Sequence, residues 1–149
     1  MELFIDDRQD KITVENDLIE DIKKVIIESM NEEKIDLNYE ISLSFVDNEE
    51  IRILNRDFRN KDQATDVLSF PMEDEEFIEE KTLGDIVISL ERALQQSKEY
   101  NHSFKREMLF LVCHSMFHLM GYDHDTDENT KEMREKEKKV LNKLGIKRE

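Results

Sequence analysis

Three of the four histidines in this 149-residue chain fall within eleven residues: His114-Ser-Met-Phe-His118-Leu-Met-Gly121-Tyr-Asp-His124. No other stretch constrains the fold as tightly. His114 and His118 stand four apart, so a helix places both imidazoles on the same side, one turn apart. Gly121 then supplies the left-handed residue on which helices commonly end, and three more residues return His124 to the same point. The spacing predicts a helix reaching Met120, a reversal, and three rings converging on one spot. Neutral imidazoles form a borderline-soft donor set suited to Zn²⁺. Three protein ligands leave a fourth position open, as in catalytic rather than structural zinc sites. Such an ion lowers the pKa of bound water to about 7 and polarises phosphoryl or carbonyl oxygens.

The H-x-x-x-H-x-x-G-x-x-H pattern is shared with metzincin proteases, which carry a glutamate general base directly after the first histidine. Here that position is Ser115, and a hydroxyl does not accept a proton from water near neutral pH as a carboxylate does. The pattern therefore points to a metal hydrolase of another type. Cys113 lies about 100° further round the predicted helix and reads as a packing residue. His102, at a helix start, reads as a cap or packing residue rather than a fourth ligand.

The remaining sequence alternates strand and helix patterns. Leu3 to Ile5 reads as a first strand, and Thr13 as N-cap of a helix with Leu18, Ile22, Val25 and Ile26 inward. Tyr39, Ile41, Leu43 and Phe45 alternate with polar residues, marking a second strand. Asp47 with Glu50 forms a capping box opening a helix to about Phe58. Thr65 to Phe70 is a strand stopped by Pro71, the acidic stretch Met72 to Glu80 an exposed loop, and Leu83 to Ser89 a further strand. Ser89 caps a helix to about Tyr100, Asn101 to Ser103 cap the histidine helix, and Asp125 with Glu128 opens a last helix facing Met133, Val140, Leu141 and Leu144 inward. No repeat or linker divides the chain. It reads as one α+β domain, residues 1–149, with a small mixed four-stranded sheet packed with about five helices. The metal site would lie on a helix and the turn after it.

Although 40% of residues are charged, Leu, Ile, Val and Phe exceed a quarter of the chain, enough to build a core. The longest apolar run is Met108 to Cys113, far short of the roughly 20 residues needed to span a membrane. The acidic amino terminus resembles no secretory signal, and the single cysteine fits a reducing cytoplasm. The net charge of −15 disfavours phosphate polymers in bulk. Its distribution is uneven, because residues 131–149 carry an excess of Lys and Arg. Interleaved glutamates there indicate a solvated amphipathic helix.

Arg52, Arg56 and Arg59, with Lys61 beyond, form a stripe beside the apolar stripe Ile51, Leu54, Phe58. Guanidinium forks match phosphate oxygens and keep their charge at any relevant pH. From spacing alone, a phosphate site and a solvated helix face paired with Glu49, Asp57 or Asp62 are equally good readings.

Leu54-Asn55 with Arg59, Thr65-Asp66-Val67-Leu68-Ser69-Phe70-Pro71, Leu83-Gly84-Asp85-Ile86 and the run ending Gly121-Tyr122-Asp123-His124 resemble, in order, the YbeY family. These are bacterial metal-dependent endoribonucleases of ribosomal RNA maturation. The resemblance implies zinc held by His114, His118 and His124, with Arg59 as catalytic arginine on the scissile phosphate and His114 at the centre of activity. It also implies a single-strand endoribonuclease forming the 3′ end of small-subunit ribosomal RNA and serving ribosome quality control. The partners would be ribosomal RNA, the small ribosomal subunit and ribosome-associated proteins, with neither DNA nor a membrane involved. Ser115 departs from the glycine common in the family and places a small hydroxyl next to the metal site. Asp66, Asp85 and Asp123 are candidates for orienting a ligand imidazole, although turn and strand-end roles suit them better. No separate general base is evident. Two other functions fit the residues: a ribosome assembly factor with a structural metal, and a metallopeptidase drawing its carboxylate from elsewhere.

Overall fold

The computed structural model describes residues 1–72 and 82–146. Nearly all of the acidic stretch expected as an exposed loop lies outside the described residues; Met72 is exposed. The elements follow the order β1 (Glu2–Asp7), α1 (Asn16–Glu32), β2 (Glu40–Val46), α2 (Asn48–Arg59), β3 (Val67–Pro71), β4 (Thr82–Ser89), α3 (Leu90–Glu99), α4 (Phe104–Leu119) and α5 (Asp127–Lys143). The sheet runs β1-β2-β4-β3. β1 and β4 pair parallel with β2, and β3 pairs antiparallel with β4. This is the mixed four-stranded sheet and α+β class that the sequence predicts.

The pleat divides the side chains between two cores. Ile41, Leu43 and Phe45 of β2 with Ile86 and Ile88 of β4 face α1, α3, α4 and α5 in the larger core. Val46, Val87 and Leu68 face the other way and meet Ile51 of α2 in a smaller cluster. Alternate strand residues point to opposite faces, so α2 covers one face and the remaining helices the other. α4 is buried almost all round, with Met108, Val112, Met116 and Phe117 fully enclosed. Its amphipathicity is correspondingly weak, as expected of a central helix.

Caps fix most helix starts. Asp47 accepts a hydrogen bond from the Glu50 amide, Ser89 from Arg92 and Ser103 from Arg106. Two caps differ from expectation. α1 begins after Glu15, which makes no side-chain cap bond, because Gln9 folds residues 9–12 into a turn through the amides of Lys11 and Ile12. α5 is capped by Thr126, not Asp125; the Thr126 hydroxyl accepts from the Asn129 amide while Asp125 accepts from the Asn129 side chain. Pro71 ends β3 from inside the strand rather than beyond it, a position an edge strand tolerates.

Gly84 has φ +150° and lies where β3, β4 and the end of α4 converge. A Cβ there would collide with the Phe70 carbonyl oxygen and come within 2.8 Å of Leu119 Cδ2. Only glycine allows so close an approach.

Candidate metal centre and its flanking cavities

α4 delivers His114 and His118, the two half-buried residues of its otherwise buried last turns, and the chain then reverses. Gly121 takes φ +101°, and the Tyr122 amide donates to the Phe117 carbonyl at 2.9 Å. Tyr122 anchors the turn. Its ring meets Phe117 edge-on at 5.5 Å. Burial, reinforced by the hydrogen bond between its hydroxyl and Glu33, pushes the phenol pKa up to about 12. Asp123 accepts from the His124 amide at 2.7 Å, and the Thr130 hydroxyl donates to the His124 carbonyl at 3.2 Å. These bonds bring His124 back over α4.

The three imidazoles meet as the spacing predicts. Ring centroids lie 4.7 Å (His114–His118), 4.9 Å (His118–His124) and 5.7 Å (His114–His124) apart, and one ligand nitrogen from each falls within 4.8 Å of the others. Second partners orient two of the rings. His118 Nδ1 lies 3.1 Å from the Tyr122 carbonyl oxygen. His114 Nδ1 sits 3.3 Å from both carboxylate oxygens of Glu137. With both Nδ1 atoms occupied, both Nε2 atoms are left for an ion, the usual tautomer control of a ligating histidine. Desolvation, reinforced by the neighbouring His114 and His124, lowers the His118 pKa, so this ring is neutral and ready to ligate at neutral pH. The donor chemistry and orientation fit a zinc-type ion.

Glu137 did not emerge from the sequence reading. Its signal is an acidic residue on the apolar stripe Met133, Val140, Leu141 of α5; helical spacing turns it inward, where 14% of its side chain is exposed. Asp66, Asp85 and Asp123 make no bond to a ligand imidazole. Asp66 accepts from the Val67 amide and the Gln96 side chain, Asp85 is exposed on β4, and Asp123 serves its turn. Ser115 is fully buried, with its hydroxyl unpartnered among the described residues. It therefore faces the interior rather than the histidine cluster. Burial also raises the Cys113 thiol pKa, and His102 is buried against Glu107 at 3.0 Å, both consistent with packing roles.

The arginine stripe divides. Arg52 binds Glu49 and Asp62, and Arg56 binds Asp57, so both belong to a solvated face. Arg59 forms no such pair among the described residues. Asn60 ends α2 in the left-handed conformation, and the chain turns so that Arg59 Nη2 donates to the Ser69 carbonyl at 3.0 Å, with its guanidinium 6.0 Å from the Phe70 ring. Asn55 is buried and secures the following loop by donating to the Gln63 carbonyl. Arg59, Lys61, His114, His118 and His124 all line one cavity of about 600 Å³. A second cavity of about 790 Å³ lies on the far side of His114 and His124, with Asp66 shared between the two.

The family model for endoribonuclease YbeY matches residues 4–145. The chain belongs to the YbeY endoribonuclease family. Similar proteins include endoribonuclease YbeY of Clostridioides difficile (strain 630), 65% identical with both chains covered completely. That of Alkaliphilus oremlandii (strain OhILAs) is 57% identical over 98% of this chain and 99% of the relative. Among solved structures, the solution structure of TM1509 from Thermotoga maritima superposes with a TM-score of 0.63 at 33% identity, covering 96% of this chain and 91% of that one. The expected family, fold class and histidine convergence therefore hold together. No described helix is long and apolar enough to cross a membrane.

Proposed function

We propose that the chain acts as one domain, a zinc-dependent endoribonuclease of the cytoplasm. Its substrate is single-stranded ribosomal RNA at the 3′ end of the small-subunit species, and its work extends to ribosome quality control alongside ribosome-associated proteins. The observation carrying this reading is that three convergent imidazoles and Arg59, which has no ion-pair partner among the described residues, line the same cavity. His114, His118 and His124 are the proposed ligands of one Zn²⁺ per chain. When bound, zinc supplies a Lewis acid for a phosphoryl oxygen and an activated water. Glu137 and the Tyr122 carbonyl hold two of the rings in the ligating tautomer. Arg59 spends one donor on the Ser69 carbonyl, which fixes its direction, and presents the rest of its fork to the phosphate, where negative charge grows during cleavage. Lys61 adds a second positive charge at the cavity edge. Glu137 bonds the outer nitrogen of His114 and so lies behind the ring, which does not suit it to the part of a peptidase base.

Elemental analysis of purified protein should find one zinc per chain, absent from His118→Ala. Cells carrying Arg59→Glu should accumulate small-subunit RNA with unprocessed 3′ ends. Zinc retained by His118→Ala, or normal RNA ends with Arg59→Glu, would overturn the assignment.

A further inference from the structure

The second cavity is unexplained by the histidine cluster and Arg59. It opens beyond His114 and His124, and its lining includes Tyr100, Phe110, Gln96, Asp66, Arg134 and Lys138. Its volume falls in the range of small-ligand sites. Every carboxylate in its wall is already engaged: Glu107 with His102, Glu137 with His114, and Asp66 with Gln96. Its two basic residues are not. Arg134 and Lys138 are exposed, lie one turn apart on α5, and have no ion-pair partner among the described residues. By contrast, Lys136, Lys139 and Lys143, on the opposite flank of α5, are bound to Glu28, Glu32 and Glu33 of α1. In a chain of net charge −15, cations with no ion-pair partner among the described residues thus flank the histidines on both sides, Arg59 and Lys61 in one cavity and Arg134 and Lys138 in the other. At the rim Tyr100 is 54% exposed, with its ring edge-on to His102 at 6.1 Å. A large aromatic lining the same cavity as two exposed cations is the combination that holds a base by stacking and the adjoining phosphate by charge.

We infer that the second cavity is a nucleotide subsite, taking the RNA residue next to the scissile phosphate, with Tyr100 stacking on its base and Arg134 and Lys138 engaging the flanking phosphate. The inference rests on the ribonuclease reading above. The strand then crosses the histidine cluster from one cavity into the other.

The test measures binding of zinc-loaded protein to fluorescent 2′-O-methyl RNA by anisotropy, using a hexanucleotide that spans both cavities and a dinucleotide that fills one. Tyr100→Ala should weaken hexanucleotide binding about tenfold, and Tyr100→Phe should restore it. Arg134→Ala with Lys138→Ala should reduce the salt slope by about 1, as for one or two lost single-strand phosphate contacts. Both variants should bind the dinucleotide like wild type, while Arg59→Ala weakens both ligands. Hexanucleotide affinity and salt slope unchanged in the Tyr100 and Arg134/Lys138 variants, with Arg59→Ala still defective, would overturn the subsite and leave the ribonuclease reading standing. Wild-type protein binding neither RNA would overturn both.

Discussion

α4 and α2 both deliver residues to the site, but they hold them by different means. Eleven of the sixteen residues of α4 are buried, so His114 and His118 project from a helix fixed by core packing on nearly every side. Only Ile51 and Asn55 are buried among the twelve residues of α2, and Arg59 is aimed by a left-handed cap, one carbonyl and the face of a ring. Metal ligation tolerates little displacement, because all donors must reach one point. A guanidinium meeting a phosphate has a long side chain with which to adjust. The rigid half of the site therefore sits in the core and the adaptable half on the surface.

The contrast is sharpest in stability. Phe117→Ala on α4 should cost about 3–5 kcal/mol through the cavity it opens. Leu54→Ala, in the small cluster under α2, should cost less than about 2 kcal/mol, because the residue is only half-buried. Equal losses in chemical denaturation would break the distinction. A smaller effect is expected from Glu137→Ala, which should weaken zinc about 10–100-fold by freeing the His114 ring. Competition with a chromophoric chelator would read this, and unchanged affinity would reduce Glu137 to a tether between α4 and α5. The smallest effect concerns the Ser115 hydroxyl, buried on α4 with no partner among the described residues. Ser115→Ala should raise stability by about 1 kcal/mol, because a buried hydroxyl without a partner is removed and alanine suits a helix better. A loss of stability in thermal melts would show that the hydroxyl has a partner.

These elements also differ in how readily the sequence discloses them. Features encoded within a few residues are legible: the turn-by-turn spacing of His114, His118 and His124, the caps at Asp47, Ser89 and Ser103, and the alternation through Tyr39 to Phe45. Thr13 and Asp125 mislead because side-chain bonds from Gln9 and Thr126, competing over the same short stretches, decide where each helix begins. The arginine stripe shows no local difference between Arg56 and Arg59, since what separates them is the Ser69 carbonyl on another strand. Glu137 lies thirteen residues beyond His124 and reaches the site only because α5 folds back against α4. The second cavity likewise needs α3, α4 and α5 brought together before Tyr100 and Arg134 become neighbours of the histidines.

Gly84 links the two halves. The same missing side chain admits the carbonyl of Phe70, beside the strand residue that steers Arg59, and a methyl of Leu119, next to His118. On the β3 side that contact is backbone, the Phe70 carbonyl and Pro71 Cα, and no change of rotamer can widen it; on the α4 side it is only the tip of a leucine. A methyl group at this point would therefore press first on the strand whose Ser69 carbonyl steers Arg59, disturbing the phosphate-handling side before the metal-handling one.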